Sequence, residues 1–87
     1  MDFYKHSDNV EWKQFEDESL LINIETGFYF RLNEVGSFIW PLLDGKHSNK
    51  EIIRGIVEEF DVQTEKAKSD FGSFIKELLD EKLIVIK

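Results

Sequence analysis

The sequence predicts an α+β domain in which a three-stranded antiparallel sheet is followed by three helices. Three stretches within residues 10–32 alternate apolar and polar side chains or carry short apolar runs, as half-buried strands do. After residue 48, apolar side chains instead recur at helical spacing. Strands that come first and helices that come afterwards favour an α+β fold over an alternating α/β fold.

The predicted sheet is a meander of three strands. Residues 10–15 and 20–24 form a hairpin across a charged turn, and residues 25–27 reverse the chain into the third strand, 28–32. At a period of two, the third strand places alternate side chains on opposite faces. Phe28, Phe30 and Leu32 therefore share one face, and Tyr29 and Arg31 share the other.

The first helix is expected from about Glu34 to Leu43. Asn33 can cap its first turn, and the pair Asp44-Gly45 is expected to end it. Pro41 lies inside this range, and proline lacks an amide proton and crowds the carbonyl four residues earlier. The helix is therefore expected to be short, kinked or irregular near Ser37 and Trp40, or divided at the kink.

Two longer helices follow. Ser48 and Glu51 stand at capping-box spacing at the start of the second helix. The third is expected from about Glu65 to Lys82, with Thr64 as its cap. The predicted core positions are Ile52, Ile53, Ile56, Val57 and Phe60 on the second helix and Ala67, Phe71, Phe74 and Leu78 on the third. Leu83 to Ile86 then forms a short strand or an extension.

The third helix is apolar over a wide part of its circumference. Ile75 and Leu79 extend its apolar stripe sideways beside Gly72, with Lys68 and Lys76 as the nearest charges. This shoulder either borders a groove or packs against a second element. Because glycine inside a helix costs about 1 kcal/mol relative to alanine, Gly72 suggests a place where another backbone comes close.

Composition bounds the class of protein. The 87 residues, of which 41% are hydrophobic and 14% aromatic, predict one small globular domain over residues 1–87. Cysteine is absent, which excludes disulfides and thiol chemistry. No apolar run is long enough to span a membrane, and Met1 to Asn9 is too polar for a signal peptide. We therefore expect a soluble, cytoplasmic protein that has no membrane partner.

The net charge of −7 is unevenly distributed. Residues 1–45 contain three basic and nine acidic side chains, whereas residues 46–87 contain eight and nine. Proteins that bind nucleic acid gain affinity from clustered lysine and arginine. The distribution therefore argues against a nucleic-acid partner.

Few residues could support catalysis. His6 lies in a polar N-terminal segment and His47 in the loop before the second helix, so both are expected to be solvated. The carboxylates fall in turns or on the exteriors of helices. Metal motifs and glycine-rich phosphate loops are absent. We expect no catalytic residue, no metal site, no cofactor and no enzymatic activity.

The central part of the chain carries an ordered set of short motifs that resembles the PqqD family, whose members are also called RiPP recognition elements. The matching pieces are Thr26-Gly27, Tyr29-Phe30, Leu32-Asn33, Gly36, Ile39-Trp40, Leu42-Leu43-Asp44-Gly45, Glu51-Ile52, Val62, Asp70-Phe71, Phe74-Ile75 and Leu78. The resemblance covers roughly residues 18–86. Departures are Pro41, inside the first helix, and Lys82, where the family commonly has glycine.

The resemblance implies a winged helix-turn-helix that acts as a peptide chaperone. It binds the leader segment of a ribosomally made precursor peptide by strand addition and brings it to a separate enzyme, such as a radical SAM maturase or a leader protease. On this basis the expected peptide-binding residues are Phe28, Tyr29, Phe30, Arg31, Leu32, Lys68, Gly72, Ile75, Lys76 and Leu79. The side chains of Phe28, Phe30 and Leu32 are expected in the core, with only their backbone near the peptide. Two alternatives remain: a winged helix that binds nucleic acid, and a structural or dimerisation module.

Overall fold

Five strands and three helices make up the structure, a computed structural model that describes residues 3–87. In chain order they are β1 (Tyr4–His6), β2 (Val10–Phe15), β3 (Glu18–Asn23), β4 (Tyr29–Leu32), α1 (Glu34–Ile39), α2 (Asn49–Phe60), α3 (Thr64–Asp80) and β5 (Ile84–Ile86). A single 3-10 turn, Trp40–Leu42, follows α1 directly. The predicted α+β winged-helix class is confirmed.

The three predicted strands form one antiparallel sheet in the order β2-β3-β4. Its inner face is buried against the helices through side chains such as Leu21 and Leu32. On its outer face, Leu20 and Ile22 are only half-buried. Because β3 lies in the middle and β4 pairs only with β3, β4 forms one edge of the sheet.

A second sheet of two strands joins the two ends of the chain. β1 pairs antiparallel with β5 in a register that sets Tyr4 opposite Ile86, and Lys87 N donates to Phe3 O at 3.1 Å. The strand expected at the C-terminus is therefore present, whereas β1 was not predicted. Met1 and Asp2 belong to the segment expected to be a polar tail, and they lie outside the described residues.

The expectation that His6 is solvated is wrong. Its ring stacks on Trp40 with centroids 3.8 Å apart and planes at 5°, and its Nε2 donates to Trp40 O at 2.8 Å. Trp12 contacts both rings edge-on, at 5.8 Å from His6 and 6.1 Å from Trp40. Burial lowers the pKa of His6, against the opposing hydrogen bond to Trp40 and the charge of Asp44. The neutral imidazole therefore anchors β1 to the core.

Pro41 divides the first predicted helix rather than kinking it. Asn33 caps α1 as expected, since its side chain accepts from Gly36 N at 2.9 Å. The α-helix then ends at Ile39, and Pro41 lies in the 3-10 turn. Gly45 has a φ of +80°, which glycine adopts without strain, but its amide donates to Tyr4 O at 2.8 Å. It therefore holds β1 rather than capping the helix.

The two long helices begin and end close to their predicted positions. α2 carries the complete capping box, in which Glu51 N donates to Ser48 Oγ at 3.1 Å and Ser48 N to Glu51 Oε1 at 2.9 Å. The cap of α3 is Gln63 rather than Thr64, and no side chain bonds to the first turn. The helix ends at Asp80, and Lys82 has a φ of +60°. This left-handed position explains why glycine suits it.

The core lies between the inner face of the β2-β3-β4 sheet and the three helices. Its fully buried members include Trp40, Ile39, Leu43 and Leu83. No helix within residues 3–87 combines the length and the apolar character that are needed to cross a bilayer.

Candidate functional site

The free edge of β4 exposes backbone hydrogen-bonding groups. Asn23 N donates to Phe28 O at 3.0 Å, so these two residues form a hydrogen-bonded pair. Such pairs alternate with non-bonded pairs along an antiparallel ladder. In the observed register, Phe30 and Leu32 therefore direct their backbone groups toward β3. The amides and carbonyls of Tyr29 and Arg31 point away from the sheet, where an added strand would meet them.

The side chains of β4 and of the preceding turn differ sharply in exposure. Phe28 and Tyr29 are 63% and 67% exposed, high values for aromatic residues, whereas Leu32 is buried and Phe30 is half-buried. The expectation that all three members of the inward face are core residues therefore fails for Phe28. Arg31 Nε lies 3.5 Å from Glu18 Oε1 in an exposed ion pair, which contributes at most about 1 kcal/mol.

The helix α3 runs beside β4, in the opposite direction. A Cβ placed on Gly36, just after β4, would lie 3.2 Å from Leu32 Cβ and 3.3 Å from Phe74 Cε1. Near the other end of β4, Asn23 of β3, which pairs with Phe28, donates from Nδ2 to Glu81 O at 3.4 Å, just after α3. These contacts place the Phe74 side of α3 toward β4.

A cavity of about 260 Å³ lies between α1, with its cap Asn33, and α3, just beyond the end of β4. Val35, Ile39 and Phe74 give it apolar walls, and Asn33 and Asp70 contribute polar atoms. Asp70 is also held by Lys66, at 3.1 Å. The cavity has the size of one large side chain. The free edge of β4, this cavity and the adjacent face of α3 are together called the edge groove. That face carries Asp70 and Phe74 and, at 100° per residue, also Glu77.

The edge groove excludes most of the α3 residues expected from the sequence. At about 100° per residue, Lys68, Gly72 and Leu79 lie about 120° or more around the helix from Phe74. Lys68 lines a different cavity, next to α2. Leu79 lines a third, beside residues 7–9 and β5.

The structure also describes the surroundings of three further α3 residues, whose role in peptide binding stays a prediction. Ile75 is only 5% exposed and belongs to the core, not to a shoulder. Gly72 is exposed, and nothing lies within 4 Å of a Cβ placed on it, so no backbone within the described residues approaches closely. Lys76 points to solvent and pairs with Asp80 at 3.3 Å.

Residues 70, 74 and 77, which share the α3 face of the edge groove, do not stand out as a group in the sequence because their chemistry is mixed. Phe74 was assigned to the core, and the carboxylates of Asp70 and Glu77 were taken as solvated exterior. One signal was available in the sequence: Gly36 removes a side chain next to the predicted end of the third strand, which leaves room for a large neighbour. Among the described residues, no group of three side chains could hold a metal ion.

This fold and this site define a winged-helix domain whose sheet keeps a free edge beside its last helix. The chain belongs to the PqqD family, because the family model described as "Coenzyme PQQ synthesis protein D (PqqD)" matches residues 18–84. No curated protein sequence matches the chain.

Two solved structures share this fold closely. The first, "TbiB1 in Complex with the TbiA(beta) Leader Peptide", is 35% identical with a TM-score of 0.85, and the match covers 92% of this chain and 93% of that one. The second, "Lasso peptide synthetase B1 complexed with the leader peptide", is 18% identical, again with a TM-score of 0.85, over 94% and 96%. At 18% identity, the second likeness concerns the fold alone.

Proposed function

We propose that this protein binds the leader segment of a ribosomally synthesised precursor peptide and presents it to a separate modifying enzyme. The observation that carries the proposal is the free edge of β4 beside α3, in a chain 35% identical to a protein solved with a leader peptide. The leader adds to the β2-β3-β4 sheet as a fourth strand. A radical SAM maturase or a leader protease is the enzyme class that such an adaptor serves.

Strand addition divides the work between backbone and side chains. The outward amides and carbonyls of Tyr29 and Arg31 pair with the leader whatever its sequence. Selection comes from side chains that enter the edge groove, above all from one apolar side chain in the cavity beside Phe74. On the outer face of the sheet, the exposed side chains of Tyr29 and Arg31 lie next to alternate residues of the added strand.

The first experiment removes one outward amide. Arg31→Pro deletes the N–H of Arg31, so we expect leader affinity to fall by about 1–3 kcal/mol, roughly 5- to 150-fold. The probe is a fluorescently labelled synthetic leader peptide, and fluorescence anisotropy measures its binding. Proline is tolerated on edge strands, and circular dichroism verifies that the variant is folded.

The matched control is Arg31→Ala. It removes the side chain and the exposed ion pair with Glu18 but keeps the amide. Its affinity should remain within about threefold of the parent, because such ion pairs contribute little. A folded Arg31→Pro variant that binds the leader as tightly as Arg31→Ala would place the leader elsewhere.

The second experiment tests for binding without chemistry. We expect the purified protein to bind the leader and leave its mass unchanged, since the modifying enzyme is a separate protein. Mass spectrometry of the precursor after incubation, with and without the maturase, reads this out. A cleaved or modified precursor in the absence of maturase would contradict the adaptor function.

A further inference from the structure

A second cavity, of about 510 Å³, lies between α2 and α3. Ile53 and Val57, both half-buried, form its apolar floor. Lys50, Arg54 and Lys68 surround this floor, and all three are exposed. We call it the basic cavity.

The charge of the basic cavity contrasts with that of the whole protein. The chain has 18 acidic and 11 basic residues, yet no carboxylate lines this cavity. Across the described part of the chain, no ion pair involves Lys50, Arg54 or Lys68. The nearby carboxylate of Glu51 is engaged with Ser48 N at 2.9 Å. The charge of Arg54 acts on Glu51 from a distance, but none of the three cations is held in an ion pair within residues 3–87, so they can receive carboxylates from another molecule.

The basic cavity is separate from the edge groove. On α3, Lys68 lies about 120° around the helix from Phe74, at 100° per residue. The other lining residues belong to α2 and to the start of α3. An occupant of the basic cavity therefore leaves the β4 edge open.

We propose that the basic cavity docks an acidic, amphipathic segment of a second protein. One apolar side chain of that segment packs on Ile53 and Val57, and flanking carboxylates pair with Lys50, Arg54 and Lys68. Charge complementarity selects this occupant, because three cations and no carboxylate line the cavity. Nucleic acid fits less well, since the floor is apolar and a net charge of −7 repels a phosphate backbone.

The proposal goes beyond leader binding, because a second docking site lets the adaptor hold another protein while the leader is bound. A leader adaptor requires such a surface for its modifying enzyme. The identification of the partner as the modifying enzyme rests on the proposed function. The binding of an acidic, amphipathic segment to the basic cavity does not depend on it.

The test uses two synthetic helical peptides with the same apolar stripe. One carries glutamate at every other exposed position, and the other carries lysine at the same positions. Two-dimensional NMR of the isotope-labelled, full-length protein follows both titrations. We expect the glutamate peptide to shift the signals of Ile53, Val57 and Lys68, and to leave those of Tyr29 and Arg31 unchanged.

Charge reversal provides the second measurement. Lys68→Glu and Arg54→Glu should each weaken binding of the glutamate peptide by about threefold or more, because attraction becomes repulsion. The matched control, Lys13→Glu, makes the same charge change on the outer face of the β2-β3-β4 sheet and should have little effect. Leader affinity, measured in parallel, should be unaffected by Lys68→Glu and shows that the variant is folded.

Several results would overturn the proposal. They are equal shifts with the lysine peptide, no shifts with the glutamate peptide at millimolar concentration, shifts confined to β4, and an equal loss of binding in Lys13→Glu. A short DNA duplex that shifts the same residues when the glutamate peptide does not would assign the cavity to nucleic acid. If the parent protein does not bind the leader at all, the proposed function is contradicted. The peptide titrations would still test the basic cavity.

Discussion

His6 shows how one residue can fix a strand that has little apolar surface of its own. The strand β1 has only three residues, and His6 stacks on the fully buried Trp40. Its Nε2 must donate, because its partner is a carbonyl oxygen. Protonation would place a charge on a ring that is partly desolvated by the core.

This residue should make stability depend on pH. Burial lowers the pKa of His6 below 6.5, so the unfolded chain takes up a proton before the folded protein does. The stabilisation from the neutral His6 should therefore be fully present above pH 6.5. As the pH drops through that value, the free energy of unfolding should decrease. Urea unfolding between pH 7.5 and 5.5 measures this decline.

The variant His6→Gln should flatten the decline, although it also weakens the protein at every pH by removing the stacked ring. The control His47→Gln keeps His6 and should keep the decline. If the parent protein and His6→Gln lose stability in parallel, the buried imidazole does not control the pH dependence.

At the residue scale, interactions between residues close together in the sequence could be predicted, and interactions between residues far apart in the sequence could not. The Asn33 cap and the Ser48–Glu51 capping box depend on residues three apart. The contact of His6 joins residues 34 positions apart and leaves no periodic pattern. Polar neighbours made His6 look solvated, since only the folded chain brings Trp40 to it.

At the scale of elements, the predicted sheet and helices are confirmed but the orientation of α3 is not. An amphipathic helix has two flanks beside its core stripe, and sequence periodicity cannot tell which flank faces which neighbour. The wider apolar flank, ending at Leu79, suggested the groove. Tertiary packing instead sets the Phe74 flank against Gly36, just after β4, and places the end of α3 against Asn23 of β3.

Two glycines in helices should respond in opposite ways to the same substitution. Gly72→Ala adds a methyl group in open space and should raise the free energy of unfolding by about 0.5–1 kcal/mol. Gly36→Ala pushes a methyl group against Leu32 and Phe74 and should lower it by about 1–3 kcal/mol. Chemical denaturation of the parent and both variants measures whether each substitution raises or lowers the free energy of unfolding.

The same pair tests the position of the edge groove. Gly72→Ala should leave leader affinity unchanged, because residue 72 lies on the far flank of α3. Reduced leader binding by a stable Gly72→Ala variant would move the site to the flank first expected from the sequence. A stabilising Gly36→Ala would show that the contact between α1 and α3 is looser than the structure indicates.

At the scale of the whole molecule, the proposed binding mode predicts that leader affinity depends only weakly on salt concentration. Backbone pairing along β4 and one apolar cavity involve few counterions, so leader affinity should fall by less than about tenfold between low and physiological ionic strength. A protein that binds many phosphates loses about 10³–10⁵-fold over a similar range. Isothermal titration calorimetry at several salt concentrations distinguishes the two. A steep log–log slope would favour a mainly electrostatic ligand.

The pairing of β1 with β5 brings residues near the two termini of the domain close together. Phe3 and Lys87 are joined by a backbone hydrogen bond, so the first and last described residues of the fold are adjacent. A domain with adjacent ends can be inserted in a surface loop of a larger enzyme without forcing apart the residues on either side of the insertion. The same architecture can thus serve as a free-standing adaptor or as a built-in module, with the β4 edge left open in both.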